Sequence, residues 1–459
     1  MAKQNDASLM DKIVSLTKQR GFIFPSSEIY GGFANTWDYG PLGVELKNNI
    51  KRKWWRRFVH GRNDMVGIDA ALIMNPKVWE ASGHLKNFSD PLVDCKKCRK
   101  RFRADHLLQG QGIKPDLGKM KELPRELEVC PECGGELTSA RNFNLMFKTF
   151  VGPVEDESSV AYLRPETAQA MFVNFKNIVD TARIGFPFGI AQIGKAFRNE
   201  ITPGNFIFRT REFEQMEIEY FIKEKDWEKY FDHWLSEMKG WIDSLGISQD
   251  KVVYREIKKD ELAHYSKKTI DIDFKFPFGQ DELYGLAYRT DYDLKSHAQL
   301  SGENLLYADP KTGEKFIPHV IEPTWGVDRT VLACLIASYA EEEAPTADGK
   351  TEVRTVLKLP KDLAPYQIGV LPLSKKEELS KVAEEIAQDL RRNFSVNYDQ
   401  TQSIGKRYRR QDEIGTPYCV TIDFDTLEDK AVTVRDRDTM KQERIKIDDL
   451  SNYFKEKFS

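Results

Sequence analysis

The sequence contains no long apolar segment. Its longest mainly apolar run, residues 331–340, is about half as long as a membrane-spanning helix, and the first residues lack a secretory apolar core. Cysteine is also scarce: six residues among 459 are too few for a disulfide-stabilised scaffold of this size. These absences predict a soluble, cytoplasmic protein that does not associate with membranes.

A strong charge of one sign is missing as well. The 69 basic and 72 acidic residues nearly cancel, to a net charge of −3, which excludes a disordered polyelectrolyte and a basic nucleic-acid coat protein. Local basic patches remain compatible with this balance. The sequence has no Gly-x-Gly-x-x-Gly motif, no complete phosphate loop and no internal repeat, which argues against a parallel nucleotide-binding sheet and against a repeat protein.

The chain is about three times the ~150 residues of an average domain, so two or three domains are expected. Residues 341–350 are acidic, contain Pro and Gly and follow an apolar helical run, which is typical of a domain boundary. We therefore predict a first domain over residues 1–345, a linker over 346–365 and a second domain over 366–459.

Hydrophobic periodicity indicates the fold class of each domain. Within residues 210–222, the even positions from 216 to 222 are apolar and the odd positions 211, 215, 217 and 219 are polar, which predicts an antiparallel strand with one buried face and one face toward water or a cleft. The first domain is thus expected to be α+β, with an antiparallel sheet flanked by helices. In the second domain, short strand patterns surround an amphipathic helix with a Ser374–Glu377 capping box, which predicts a small α/β domain with a mixed sheet.

Four of the cysteines form two Cys-x-x-Cys pairs, Cys95 with Cys98 and Cys130 with Cys133. Two such turns supply the four thiolates of a tetrahedral zinc ion, and four cysteines leave no open position for a substrate. We predict a structural zinc site in a ribbon-like insertion at about 90–140. Chance cysteines or a redox pair are the alternatives. Cys334 and Cys419 lie in apolar patterns and are expected to be core residues.

Four segments combine arginine and glutamate in ways that a core would not favour. They are residues 197–213, 326–329 (GVDR), 164–169 (RPETAQ) and 282–289 (ELYGLAYR). Arginines in strands and at helix starts offer guanidinium groups to phosphates, and neighbouring aromatic rings offer a stacking surface to a base. Taken singly, each segment is also explained by surface ion pairs. Together they favour a nucleotide site.

Taken together in their order along the chain, these segments resemble the motifs of class II aminoacyl-tRNA synthetases, and specifically the glycyl-tRNA synthetase family of the homodimeric, eukaryote-like type. Residues 37–43 (WDYGPLG) and the helix after them resemble motif 1, and residues 197–200 (FRNE) through 213–217 (FEQME) resemble motif 2. Residues 322–329 (EPTWGVDR) resemble motif 3, and residues 164–169 and 288–294 (YRTDYDL) resemble glycine-family signatures. The resemblance covers nearly the whole chain, and the second domain is similar to an anticodon-binding domain.

This resemblance implies an ATP-dependent ligase that joins glycine to the 3′ end of tRNA(Gly). Arg198 would bridge the α-phosphate and the glycine carboxylate, Arg329 would be the second catalytic arginine, and Phe213 would stack on adenine. The full implied ATP set is Arg198, Asn199, Glu200, Phe208, Arg209, Arg211, Phe213, Glu282, Leu283, Gly326, Asp328 and Arg329. Glu282, with Glu214 as an additional candidate, would hold the magnesium that accompanies ATP.

Glycine would be bound by a second set: Arg103, Glu166, Phe213, Gln215, Glu217, Glu322 and Thr324. Because glycine has no side chain, its pocket must hold the ammonium group and fill the space of a larger side chain. The sequence departs from the family at Thr324, where serine is expected, and at Ala170, where glycine is expected.

Motif 1 implies a homodimer in which its helix, with Trp54 and Trp55, lies against its copy. The alternative is that these tryptophans pack in the core of their own chain. Residues 406–410 (KRYRR) mix cations with an aromatic ring and are candidates for tRNA contact, or for a helix end. Two other functions are open at this point: activation of another small amino acid, and a non-catalytic RNA-binding role. The three arginines Arg198, Arg209 and Arg329 argue against the second.

Overall fold

The computed structural model describes residues 2–110, 129–345 and 351–458. The predicted insertion and the predicted linker each include residues outside these ranges. The described residues up to 364 form an N-terminal unit, and residues 366–458 form a C-terminal unit.

The N-terminal unit contains ten of the described helices. These are α1 (Ala2–Arg20), α2 (Pro41–Trp55), α3 (Pro76–Ala81), α4 (His84–Asn87), α5 (Ala104–Gly110), α6 (Ala168–Val173), α7 (Phe175–Ala182), α8 (Trp227–Ser244), α9 (Tyr292–Ser301) and α10 (Val327–Ser338). None of the helices in the described ranges combines the length and the apolar character that crossing a bilayer requires.

The strands of the N-terminal unit are short at its start and long in its centre. They are β1 (Ile23–Pro25), β2 (Trp37–Tyr39), β3 (Met65–Gly67), β4 (Ile73–Met74), β5 (Ser89–Asp94), β6 (Arg101–Arg103), β7 (Arg141–Asn144), β8 (Lys148–Phe150), β9 (Val160–Leu163), β10 (Phe188–Phe197), β11 (Glu212–Ile222), β12 (Val252–Glu256), β13 (Lys268–Phe276), β14 (Gly279–Thr290), β15 (Tyr307–Ala308), β16 (Lys315–Phe316), β17 (His319–Gly326), β18 (Tyr339–Pro345) and β19 (Thr351–Leu357).

A seven-stranded sheet organises the N-terminal unit. Its order is β12-β13-β14-β17-β11-β10-β3, and every neighbouring pair is antiparallel except β10 with β3. The predicted α+β fold with an antiparallel sheet is thereby confirmed. Because β11, β17 and β14 are adjacent, the segments 197–213, 326–329 and 282–289 are brought together on one sheet.

Strand β11 has the predicted two faces. Its even positions, such as Met216 and Ile218, point into the main hydrophobic core. Its odd positions carry Gln215, Glu217 and Glu219, and these polar side chains are buried as well. On this polar face, Gln215 and Glu217 line an enclosed cleft instead of facing bulk water. The polar side of β11 is therefore not exposed over most of its length.

The motif 1 helix α2 packs differently from the expectation. Trp54 is fully buried in the core of its own chain, where its ring meets Trp325 edge-on at a centroid distance of 5.4 Å and also contacts Phe58. The prediction that Trp54 lies against a second copy is therefore wrong. The amphipathic face of α2 is directed inward because the sheet behind it offers large aromatic partners.

The predicted insertion contains a small sheet of its own, in the order β6-β5-β7. Its hydrophobic cluster joins Val93, Ala104 and Leu137 to the cysteine side chains. This cluster is small, so most of the cohesion of the insertion comes from the cysteine region, as expected for a ribbon-like element.

The described part of the segment predicted to be a linker forms regular structure and packs against the N-terminal unit. Tyr339–Pro345 and Thr351–Leu357 pair as the antiparallel strands β18 and β19. Beyond this hairpin, Leu359 and Leu363 lie in the same core as the seven-stranded sheet. Over its described residues, the segment 346–365 is therefore packed against the N-terminal unit.

The C-terminal unit is a mixed α/β structure, as predicted. It contains β20 (Ile368–Pro372), α11 (Glu377–Leu390), β21 (Val396–Tyr398), α12 (Ile404–Glu413), β22 (Tyr418–Ile422), α13 (Asp425–Asp429), β23 (Ala431–Asp436), β24 (Gln442–Lys446) and α14 (Leu450–Phe458). The sheet order is β21-β20-β22-β23-β24, with parallel pairs first and antiparallel pairs last. The predicted Ser374–Glu377 capping box is wrong, because α11 begins at Glu377 and its N-cap is Lys376.

Buried ion pairs join the two units. Arg354, on β19, is fully buried and donates to Asp412 on α12 at 2.9 Å. Arg435, within the C-terminal unit, pairs with the same aspartate, and the partly exposed Arg20 on α1 pairs with Glu413 across the two units. Since a buried charge that loses its partner is costly, these contacts fix the orientation of the C-terminal unit.

The position of Trp54 predicts a large effect of its removal on stability. Trp54→Ala should lower the free energy of unfolding by about 3–5 kcal/mol, because it leaves a cavity beside Phe58 and Trp325. The matched control is Trp55→Ala, since Trp55 is only partly buried and should cost clearly less. Thermal denaturation followed by circular dichroism measures both, and equal losses would contradict the assignment of Trp54 to the core.

Candidate active site

A cleft of about 400 Å³ opens on the polar face of the seven-stranded sheet. Strands β11, β14 and β17 form its floor, and the start of α10 and the segment after β10 form its rim. Two groups of charged side chains line the cleft: arginines that include Arg198 and Arg329, with the carboxylate of Glu282 beside Arg329, and three glutamates that form its carboxylate end.

Aromatic rings and backbone carbonyls hold the arginines. The guanidinium of Arg198 lies between the rings of Phe88 and Phe213, 5.3 Å from each centroid, and its Nε donates to the carbonyl of Pro165 at 3.0 Å. Arg329 stacks over Phe208 at 4.4 Å and donates to the carbonyl of Glu282 at 2.6 Å. Such stacking orients a guanidinium while its charge stays available to an anion.

Three glutamates from three different elements, Glu166, Glu217 and Glu322, form the carboxylate end of the cleft. Glu217 accepts from Thr324 Oγ1 at 2.9 Å and from Thr167, and Glu322 accepts from Arg289 at 2.8 Å. Glu166 accepts from the amide of Gln169 at 3.0 Å. Each carboxylate is thus anchored by a neighbouring donor, and each also lines the cleft.

Burial and neighbouring charges shift the pKa values of these glutamates in opposite directions. Burial raises the pKa of Glu217, and the charge of Glu166 raises it further. Burial also raises the pKa of Glu322 well above its usual value, although Arg289 opposes this. For Glu166, burial is outweighed by His84, whose Nε2 lies 3.4 Å from the carboxylate, so that its pKa is well below the usual range.

The buried Arg289 is the cation beneath the carboxylate end. It forms a two-point ion pair with Asp293, with distances of 2.8 and 2.9 Å, in addition to its bond to Glu322. The ring of Tyr265 lies 3.9 Å from its guanidinium carbon. One arginine therefore compensates two carboxylates in a region that water does not reach.

Comparison with known proteins identifies the family. Residues 150–339 match the model of the tRNA synthetase class II core domain (G, H, P, S and T), and residues 367–457 match the anticodon binding domain. The chain is 56% identical to the glycine–tRNA ligase of Geobacillus thermodenitrificans over 99% of this chain and 98% of that protein. It is 53% identical to the glycine–tRNA ligase of Thermobifida fusca over 100% of both chains.

The chain belongs to the glycine–tRNA ligase family.

The cleft contains most of the site residues that the family resemblance implied. Those that line it are Glu166, Arg198, Glu200, Phe208, Arg209, Phe213, Gln215, Glu217, Glu282, Leu283, Glu322, Thr324, Gly326, Asp328 and Arg329. The two motif 2 segments, the motif 3 segment and the RPETAQ segment thus meet at one place, as a glycine–tRNA ligase requires.

Three implied residues are not among those that line the cleft. Arg103 is held by Asp90 at 2.6 Å and by Asp105, inside the insertion. Arg211 points away and donates to the carbonyl of Ala34 at 3.0 Å, and Asn199 pairs through its backbone with Leu145. A motif shows which residues stand near a site, but the direction of each side chain depends on distant partners.

Asp328 lines the cleft, but its carboxylate is already fully bonded. It accepts from Tyr39 at 2.6 Å, from Lys47 at 3.0 Å and from the backbone N–H of Glu214 at 2.7 Å. Its position therefore favours a structural part in joining α2, β11 and α10 rather than a direct contact with ATP.

Several residues of the cleft were not anticipated from the sequence. They lie mainly on the segment between β12 and β13 and on β13 itself, and include Ile257, Glu261, Ala263, Tyr265, Thr269 and Asp271. This segment has no motif or charge pattern that sets it apart. By contrast, Arg289 and Asp293 stand in the YRTDYDL signature, so a closer look at that signature could have identified them.

The four cysteine sulfurs of the insertion form a group that can hold a metal ion. Cys95 Sγ lies 3.5 Å from Cys133 Sγ, and Cys98 Sγ lies 3.8 Å from Cys130 Sγ. Four thiolates at about 2.3 Å from a tetrahedral zinc ion stand about 3.8 Å apart, so the arrangement fits that ion. Cys334 and Cys419 are buried elsewhere, which confirms their prediction as core residues.

The cysteine geometry predicts one bound metal ion per chain. Cys130→Ser should lose most of the metal, because a serine oxygen is a poor replacement for a thiolate, and should melt the insertion. Cys419→Ala is the control, since its thiol is buried in the C-terminal unit, away from the insertion. Elemental analysis of the purified proteins measures the stoichiometry. Equal metal content in both variants would exclude the cysteine cluster as the metal site.

Proposed function

We propose that this chain activates glycine with ATP and transfers it to the 3′ end of tRNA(Gly). The observation that carries the proposal is a cleft lined both by the arginines of motifs 2 and 3 and by the anchored carboxylates Glu166, Glu217 and Glu322. The arginines suit a triphosphate and the anchored carboxylates suit an ammonium group, while glycine is the smallest amino acid that presents both a carboxylate and an ammonium.

In the first step, a carboxylate oxygen of glycine attacks the α-phosphorus of ATP. A phosphorus–oxygen bond forms, the bond to the bridging oxygen of the β-phosphate breaks, and pyrophosphate leaves. In the second step, a 3′-terminal hydroxyl of the tRNA attacks the glycyl carbonyl and AMP leaves. The attacking carboxylate is already ionised at neutral pH, so the first step needs positioning and charge stabilisation rather than a general base.

Arg198 is placed to serve both reactants. Its Nε is bonded to Pro165, the residue before Glu166, and its plane faces Phe213. The guanidinium thus lies between the carboxylate end and the proposed adenine platform, where the α-phosphate and the glycine carboxylate would meet. Arg209 and Arg329 line the cleft farther along motifs 2 and 3 and would bind the outer phosphates.

The carboxylate end supports the choice of glycine. Glu166, Glu217 and Glu322 converge on a small space, and Thr324 fills part of it while it donates to Glu217. An ammonium group in this space would be attracted by the negative charges of these carboxylates from several sides at once. A larger amino acid would have to displace an anchored carboxylate, which costs more than the ~1–3 kcal/mol that one missing methylene is worth.

Magnesium bound with ATP would supply charge neutralisation at the phosphates. Of the two carboxylates considered, Glu282 is half-exposed beside Arg329, whereas Glu214 is engaged by Lys47 and Lys51. We therefore assign the magnesium contact to Glu282, which agrees with the few protein ligands that this ion takes. For the cysteine cluster we propose structural zinc, because the four thiolates are closed around one point.

We further propose a cytoplasmic homodimer of the eukaryote-like type, with residues 1–345 as the catalytic domain and 366–459 as the anticodon-binding domain. The motif 1 resemblance supports the dimer. The exposed apolar side chains of Ile29, Tyr30 and Phe33, just before that motif, support it as well. The KRYRR segment in α12 remains the candidate for tRNA contact, although Arg407 is buried and donates to the carbonyl of Pro372.

The test of the proposed function is amino-acid-dependent exchange of pyrophosphate into ATP in the absence of tRNA. Glycine should support exchange, whereas alanine, serine and threonine should not. Arg329→Ala should lower kcat by about 10²–10³-fold, as the loss of a charge-stabilising donor does. Arg392→Ala is the control, since its side chain is 76% exposed in the C-terminal unit. Exchange with serine or threonine instead would overturn the assignment of glycine.

Thr324 gives a sharper test of the glycine pocket. Thr324→Val keeps the shape but removes the donor to Glu217, so kcat/KM for glycine should fall about 10–100-fold, which corresponds to the ~1.5–3 kcal/mol of a hydrogen bond to a charged group. Thr324→Ser keeps the hydroxyl and should stay close to the parent. Steady-state exchange at varied glycine measures both, and an equal loss in the two variants would contradict a role for the hydroxyl.

A further inference from the structure

Glu219 stands apart from the other carboxylates of the cleft. It lies in the middle of β11 with a relative exposure of 0%. Within the described ranges, neither of its carboxylate oxygens has a hydrogen-bond partner. It is not among the residues that line the cleft, whereas Glu217 and Glu322 are; it lies on the same face of β11 as Glu217, two residues farther along the strand.

The surroundings of Glu219 are acidic. Glu217, Glu219 and Glu322 each place a carboxylate oxygen within 4.8 Å of the other two. Antiparallel pairing of β11 with β17 explains this, since Glu217 stands opposite Thr324 and the next position on the same face meets Glu322. The nearest cation, Arg289, is already bonded to Glu322 and to Asp293.

An ionised Glu219 would therefore be a buried, uncompensated charge among like charges, which is one of the most unfavourable arrangements in a protein. The charged groups that face it are Glu217 on its own strand, Glu322 on β17, Arg289 on β14 and Asp293 on α9. Burial, and next the charge of Glu322, raise the pKa of Glu219 well above its usual value.

We propose that Glu219 is a positioning residue that carries a proton in the free protein. Binding of this proton and binding of the ammonium group of glycine each weaken the other. The proton lowers the negative charge beside Glu217 and Glu322 while the cleft is empty. When an ammonium neutralises Glu217 and Glu322, their repulsion of Glu219 weakens, and the proton is released more easily. By linkage, glycine must then bind more tightly as the pH rises.

The first test does not depend on any substrate. Glu219→Gln is a neutral isostere of the protonated acid. Folding of the parent requires protonation of Glu219 at any pH above the unfolded-state pKa of about 4.3, so the parent should lose stability with rising pH relative to the variant. The gap in Tm should therefore favour Glu219→Gln and widen from pH 5 to pH 8. Glu228→Gln, an exposed surface change, should show no such gap.

The second test rests on the proposed function and measures glycine. In pyrophosphate exchange, the KM for glycine of the parent should fall by at least about threefold between pH 6.5 and 8.5 relative to Glu219→Gln, with kcat following the same pH profile in both. A constant ratio of the two KM values, or a Tm gap that does not widen, would overturn the proposal. Absence of glycine-dependent exchange in the parent would instead refute the proposed function, and the Tm measurement would still decide the protonation of Glu219.

Discussion

The buried guanidinium of Arg289 is the charge on which the cleft depends. It connects Asp293 on α9 to Glu322 on β17, and it stands on β14 between them. Without a cation at this point, the sheet would have to bury carboxylates from three neighbouring elements with no compensation, at a cost of several kcal/mol for each. The sheet can therefore carry an acidic floor only because this strand supplies an arginine from below.

A second buried hub fixes the position of the phosphate end. Asp328 begins α10, where the helix N-terminus favours a negative charge, and it binds Lys47 and Tyr39 from the region of motif 1. It also binds the backbone of Glu214, next to Phe213. Motifs 1, 2 and 3 are thus tied together by one carboxylate, so the distance between the stacking ring and the arginine of α10 is set by buried contacts rather than by flexible loops.

The sequence predicted the sheet and the composition of the cleft better than it predicted the direction of individual side chains. The alternation of β11 and the ordered motifs predicted that Glu217, Arg198 and Arg329 lie near one another, and all three line the same cleft, because strand periodicity and neighbouring strands fix which residues share a face. It did not show that Arg103 would be held by Asp90 or that Trp54 would meet Trp325, since such partners are far apart in the chain. The cleft residues between β12 and β13, such as Tyr265, carry no pattern and become part of the site only through the fold.

In the proposed function, selection of so small a substrate would follow from how the carboxylates are anchored. Glu217 is held by Thr324 and Thr167, Glu322 by Arg289, and Glu166 by Gln169 with His84 beside it. These anchors come from separate strands, helices and loops that pack against each other. A methyl group on the α-carbon would have to displace several of these anchored groups at once, and a close-packed interior resists such a displacement. In the proposed function, the charges of the carboxylates would attract the ammonium group from several sides, and the rigidity of the same groups would exclude larger amino acids.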